Sequence, residues 1–229
     1  MNNRKQNYDE FVASKVRKAF DTGFEHKPFT ASLFEWQKRI VAWAVKKGRC
    51  ALFEDCGLGK TIQQIEWANQ VQQHTGGLVI ILCPLSVAQQ TQLEAERFGF
   101  PKVHRLKERE DVPTSGLCVC NYDRLDKFED VQFAGVVLDE SSILKSFDGK
   151  LRRYITDRFS ATPYRLCCTA TPAPNDFTEL GQHADFLGIC SPAEMLATYF
   201  INDTFDTGTW RLKGHAEDLF WEWVSSWAV

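Results

Sequence analysis

The chain has 229 residues, of which 44% are hydrophobic and 25% charged. These ordinary globular proportions exclude a disordered tail, a collagen-like repeat and a highly charged linker. Lys and Arg number 27 against 30 Asp and Glu, a net charge of −3, so no strong global field advertises nucleic acid or a membrane; a local basic stripe could still bind phosphates.

The length fits one decorated α/β domain or two small ones. No segment offers the roughly 20 consecutive apolar residues that a bilayer-spanning helix takes. The longest apolar run, Leu78 to Cys83, ends at Pro84, and Met1 to Glu10 has no apolar stretch of the secretory kind. The eight cysteines show no zinc-type CxxC pairing. Cys83, Cys118, Cys120, Cys167 and Cys168 sit in apolar runs, so reduced, buried thiols in a cytoplasmic protein are expected, with no membrane partner.

In chain order, Tyr8, Phe11, Val12, Val16, Ala19 and Phe20 recur at helical spacing and predict a helix over 8–20. Residues 22–31, with Gly23, Pro28 and two threonines, read as a loop. An amphipathic helix is predicted over 33–47, stopped by Gly48. Short apolar runs follow at 50–54, 78–83, 117–121, 134–138 and 165–169, with a weaker one at 103–106. Helical patterns at 61–73, 86–98 and 148–159 lie between them. Continuous apolar strands alternating with helices predict a three-layer α/β fold, a mainly parallel central sheet with helices on both faces. Ligands bind such sheets at the carboxyl ends of the strands, so functional residues are expected directly after each run. Beyond 188, residues 192–200 look helical and 201–214 irregular. A last helix over 215–228 aligns Phe220, Trp223, Val224 and Trp227, either capping the domain's own core or packing against another domain.

After the first run comes Asp55-Cys56-Gly57-Leu58-Gly59-Lys60-Thr61-Ile62, then a helix. Gly57 and Gly59 let backbone N–H groups face a polyphosphate, and the helix N-terminus adds partial positive charge. Lys60 suits β- and γ-phosphates, and Thr61 suits Mg²⁺. The strict phosphate-loop pattern would place a glycine at position 54, where this chain has Glu54. The run Val136-Val137-Leu138 ends in Asp139-Glu140. Two carboxylates at a buried strand end are costly unless paired. Mg²⁺ on Asp139 would pair them, with Glu140 as general base toward a water. His26, His74, His104, His183 and His215 lack metal spacing and read as structural or surface residues.

Several blocks then resemble one family. DCGLGKTIQQI is similar to the first motif of superfamily 2 helicases of the DEAD/DEAH type, and most to the Swi/Snf-like DNA translocases. Gln37 in LFEWQKRI resembles the upstream glutamine that reads adenine. LCPLSVAQQTQLEAERF (82–98) and VCNYDRL (119–125) are similar to motifs Ia and Ib. VVLDESSILKS (136–146) resembles motif II, with Lys145 matching a lysine typical of the subgroup. LCCTATPAPNDFTELGQHADFL (166–187) resembles motif III and the segment after it. Phage and prophage helicase-like proteins are the nearest in character. The likeness covers roughly 33–188.

The resemblance implies a RecA-like P-loop NTPase domain over 33–190, an N-terminal helical extension over 1–32, and a helical segment over 191–229 leading to a second RecA-like domain in cis or in trans. ATP and Mg²⁺ are the implied cofactors, and DNA, double-stranded or tracked along its backbone, is the implied partner. Gln37 and the loop Asp55 to Ile62 would hold ATP, while Lys60, Asp139 and Glu140 would be catalytic. Ser142, Thr169 and Thr171 would couple the γ-phosphate to the nucleic-acid groove. Pro84, Leu85, Ser86, Asn121, Tyr122 and Lys145 would line the DNA path. The stretch from Lys145 to Arg153 is either a solvated face or a further phosphate contact.

Motif II departs from the family by reading Asp-Glu-Ser-Ser, and Ser142 is expected to bond across to motif III, with altered coupling. The family's second domain supplies an arginine finger, and nothing after 188 resembles its motifs. An isolated lobe is therefore expected to turn over poorly. A naturally truncated nucleotide- or DNA-binding module and the motor subunit of a restriction-modification system remain alternative readings. A small-molecule kinase explains neither Gln37 nor the Thr169-Ala170-Thr171 block.

Overall fold

The computed structural model describes residues 19–145, 149–202 and 210–229. Most of the helix predicted over 8–20 lies outside these residues. Eight strands and seven α-helices are seen among the described residues. The chain runs α1 (Glu35–Lys47), β1 (Arg49–Leu52), α2 (Lys60–Thr75), β2 (Leu78–Cys83), α3 (Ala88–Arg97), β3 (Val103–Arg105) and β4 (Gly116–Asn121). It continues with β5 (Gly135–Asp139), α4 (Gly149–Arg158), β6 (Tyr164–Cys168), α5 (Leu180–Leu187), α6 (Pro192–Tyr199), β7 (Phe200–Asn202), β8 (Trp210–Leu212) and α7 (Glu217–Ser225).

Six strands form one sheet in the order β1-β6-β5-β2-β4-β3, and every pair in it is parallel. Side chains alternate across it. Val79, Ile81 and Cys83 of β2 enter one core with residues of α1, α2 and α3. Ile80 and Leu82 enter the other with residues of α4, α5 and α7. Both faces being covered, the strands are predominantly apolar, β2 throughout, and the predicted three-layer α/β architecture follows. No helix among the described residues is long and apolar enough to cross a membrane.

The helix α2 is buried from Ile62 to Val71, although it carries five polar residues there. The segment before α1 covers it. Glu66 Oε2 accepts from the backbone N–H groups of Thr30 (3.0 Å) and Ala31 (2.9 Å), and Gln70 Oε1 accepts from Lys27 N (2.8 Å). The loop over 22–31 is thus fastened by side chains, because buried polar groups must find partners.

Phe220, Trp223 and Trp227 are buried in the lobe's own core, the first of the two possibilities for that stripe. Residues 227–229 lie along the free edge of β1, where Ala51 N donates to Trp227 O (2.9 Å) and Val229 N to Ala51 O (3.1 Å). That backbone pairing covers an exposed sheet edge. The irregular reading of 201–214 needs correction, because β7 and β8 pair antiparallel. Three-residue strands are too short to show an alternation in sequence.

Candidate nucleotide and nucleic-acid site

Leu52, Cys168 and Asp139 are level with one another across β1, β6 and β5. The segments that follow them therefore leave one sheet edge side by side. These are the phosphate loop, the Thr169–Thr171 turn and the Glu140–Ser142 turn.

In the loop, Gly57 (φ 84°) and Gly59 (φ 76°) hold left-handed backbone, which costs glycine little. Lys60 opens α2 and turns back into the loop, where its Nζ donates to the carbonyls of Glu54 (2.8 Å) and Asp55 (2.9 Å). Thr61 is half-buried and Ile62 buried, whereas Asp55, Cys56, Gly57 and Leu58 are exposed. Gln37 is brought onto this loop from α1. Its Nε2 donates to Leu58 O (3.1 Å), and its Oε1 accepts from Phe34 N (3.0 Å). A Cβ on Gly59 would come 2.7 Å from Gln37 Nε2.

Asp139 is 9% exposed. Burial raises its carboxyl above the ordinary range, Glu140 adds to this, and Gln64 and Lys60 oppose it. Gln64 Nε2 donates to Asp139 Oδ1 (2.8 Å). Glu140 has φ 55°, the one positive φ at a non-glycine residue among the described residues. Its turn is held from three sides. Tyr122 donates its hydroxyl to Asp139 O (2.8 Å), Thr169 Oγ1 donates to Glu140 Oε2 (3.3 Å), and Ser141 Oγ lies 3.1 Å from His183 Nε2. Thr171 N donates to Thr169 Oγ1 (3.1 Å). Ser142 differs from expectation, since its hydroxyl returns to Glu140 O (3.5 Å) instead of reaching the motif III turn. The hydroxyl that reaches across, to α5, is that of Ser141.

Mg²⁺ fits this edge. A buried carboxylate without an ion pair among the described residues gains from a cation. Mg²⁺ needs only one or two carboxylates when phosphates and waters complete its shell. Asp139 and Thr61 supply donors of that kind.

The remaining path residues divide. Leu85 and Ser86 are exposed, Pro84 is half-buried, and Asn121 and Tyr122 are buried. Asn121 Nδ2 donates to Pro84 O (2.9 Å). Lys145 points inward, donating to Thr171 O and lying 3.7 Å from Glu179 Oε2. Burial lowers its ammonium, while Glu179 opposes the shift.

Glu54, Gln63, Gln64, Ser141 and His183 take part without a role in the sequence reading. Glu54 is buried and accepts from Gln63 Nε2 (2.7 Å). Burial raises its carboxyl, and Gln63 and Lys60 oppose the shift. Gln64 is one residue on, and His183 comes from α5. The pair Gln63-Gln64 at the start of the buried stretch of α2 was the available signal; His183 had none.

The family model of the SNF2-related domain matches residues 36–199. The ATP-dependent helicase brm of Drosophila melanogaster is 27% identical over 177 residues, covering 68% of this chain and 11% of that protein. The ISWI chromatin-remodeling complex ATPase CHR11 of Arabidopsis thaliana is 28% identical over 170 residues, covering 65% of this chain and 16% of that protein. The chain thus spans a small fraction of these relatives. The SWI2/SNF2 ATPase core of Sulfolobus solfataricus in complex with dsDNA superposes with a TM-score of 0.68 at 20% identity, over 90% of this chain and 46% of that one. At that identity the likeness is one of fold, that of the RecA-like superfamily 2 helicase cores. With well over half its length matched by the family model, the chain belongs to the SNF2-related domain family.

Proposed function

We propose that this chain is the ATP-binding motor lobe of a Swi/Snf-like DNA translocase, which in the whole protein couples Mg-ATP hydrolysis to movement along DNA. The observation that supports it best is the level alignment of Leu52, Cys168 and Asp139, which collects phosphate loop, coupling threonines and acidic turn at one edge. Gln37 would orient adenine from α1, and the loop from Asp55 to Ile62 would enclose the phosphates. Lys60 would meet the β- and γ-phosphates, leaving the Glu54 and Asp55 carbonyls. Thr61 and Asp139 would hold Mg²⁺, which supplies charge neutralisation when bound. Glu140 would accept a proton from the attacking water, and Thr169 fixes its carboxylate for that task.

A second RecA-like domain would complete the site and supply transition-state charge from across it. The lobe alone would then bind nucleotide and turn it over slowly. The test is binding of a fluorescent ATP analogue, with ATPase assays with and without duplex DNA. Loss of binding in Lys60→Ala supports the site; unchanged binding refutes it. Robust DNA-stimulated hydrolysis by residues 1–229 alone would refute the need for a partner domain.

A further inference from the structure

We propose that Tyr122 is a positioning residue that links DNA occupancy of the Pro84–Asn121 path to the Asp139–Glu140 turn. This link rests on the motor function proposed for the lobe. At the end of β4, Asn121 and Tyr122 point to different partners. Asn121 Nδ2 donates to Pro84 O at 2.9 Å and fastens the path. Tyr122 donates its hydroxyl to Asp139 O at 2.8 Å and fastens the acidic turn. Two adjacent residues therefore bridge the two functions through one short piece of backbone.

The bond falls at a sensitive place. The carbonyl that Tyr122 holds belongs to the peptide leading into Glu140, whose φ of 55° is unusual for a side chain of its kind. Such a conformation persists only when its surroundings hold it. Tyr122 is 5% exposed, so no water competes freely for its hydroxyl. A cleft of about 290 Å³ opens beside it, lined by Pro84, Leu85, Asp123, Glu140 and Ser142 among others. One hollow thus touches the path and the general-base candidate together.

A DNA backbone lying along the exposed Leu85–Ser86 turn would bear on Pro84, and through the Asn121 amide that holds Pro84 O on the backbone that carries Tyr122. The Asp139–Glu140 peptide is then the element that both ligands bias, and coupling requires such an element. Linkage is reciprocal, so nucleotide and DNA must alter each other's affinity by the same factor.

The test uses the whole chain and reads binding. Mg–mant-ATP is titrated alone and with a saturating 20-base-pair duplex. The wild type is expected to show affinities differing by about fivefold or more, the lower end of typical couplings. Tyr122→Phe, which removes one oxygen, is expected to bring the ratio to one. Asn121→Ser, which loosens the same bridge at its other end, should reduce the ratio with Tyr122 intact. An unchanged ratio in Tyr122→Phe, or a ratio of one in the wild type, overturns the link while leaving the ATP site standing. Failure of the wild type to bind Mg–mant-ATP overturns both.

Discussion

His183 Nε2 lies 3.1 Å from Ser141 Oγ, two residues beyond Asp139, and so joins α5 to the acidic turn. Burial holds this imidazole neutral and pushes its pKa down to about 3, with Lys145 lowering it further. The unfolded chain takes up the proton near pH 6.5 and the folded chain does not. The stabilisation is therefore complete above that pH and is lost as the pH falls from 6.5 toward 3. The expected loss is about 2 kcal/mol by pH 5, before most carboxylates titrate. Urea unfolding at pH 7 and pH 5 checks it. His183→Phe should be less stable than wild type at pH 7 yet show a smaller difference between the two pH values. An undiminished difference would assign the acid sensitivity to other groups.

Gln64 should matter to Mg²⁺ without touching it. Its amide donates to Asp139 Oδ1 at 2.8 Å and opposes the upward pull of burial on that carboxyl. In Gln64→Leu the carboxylate loses that donor and protonates more readily. Partners of this kind typically contribute about 10–100-fold to metal affinity. Mg²⁺ titration of nucleotide binding should show a loss in that range, recovered in part at higher pH. An equal loss at every pH would point instead to a displaced helix.

Much of this arrangement was legible in sequence, for definite physical reasons. Strands buried on both faces are apolar at most positions, so β2 and β5 announced themselves and pointed to Pro84 and Asp139 at their ends. The loop around Lys60 was legible because its glycines and lysine have few substitutes in phosphate binding. The contacts that hold the site were not. Ser141 and His183 are 42 residues apart, and nothing in the local pattern of either names the other. Ser142 was expected to make the bond across, whereas Ser141 faces inward toward His183, since the left-handed Glu140 before the serines sets which hydroxyl does so. Glu54 looked only like a departure from a glycine, since its buried bond to Gln63 needs β1 and α2 in place.

Cys56 offers a chemical test of the loop. Of the eight cysteines it is the exposed one, while Cys190 is half-buried and the other six lie in the interior. Burial pushes Cys83 and Cys118 up to about 12 and Cys120 to about 11, so those thiols stay unreactive in the native fold. A brief treatment with N-ethylmaleimide should label Cys56 first, as read by peptide mass. Mg-ATP should slow that labelling by about tenfold at saturating concentration, the protection expected when the loop carries a bound polyphosphate. Labelling at the same rate with and without nucleotide would argue against phosphates in this loop.

Gly57 and Gly59 should respond differently to alanine, although both hold left-handed backbone. An added Cβ meets nothing within 4 Å at Gly57, but comes 2.7 Å from Gln37 Nε2 at Gly59. Gly57→Ala should therefore lose about 1 kcal/mol from backbone strain alone. Gly59→Ala carries the same strain and also displaces the Gln37 amide from Leu58 O. Its nucleotide binding should fall further, and its preference for ATP over GTP should narrow if Gln37 reads adenine. The two effects separate in a double variant. In a Gln37→Ala background the clash is gone, so Gly59→Ala should cost no more stability than Gly57→Ala does. Thermal unfolding of the single and double variants gives the comparison, and a cost at Gly59 that persists without the Gln37 amide would place the obstruction in the backbone of the loop itself.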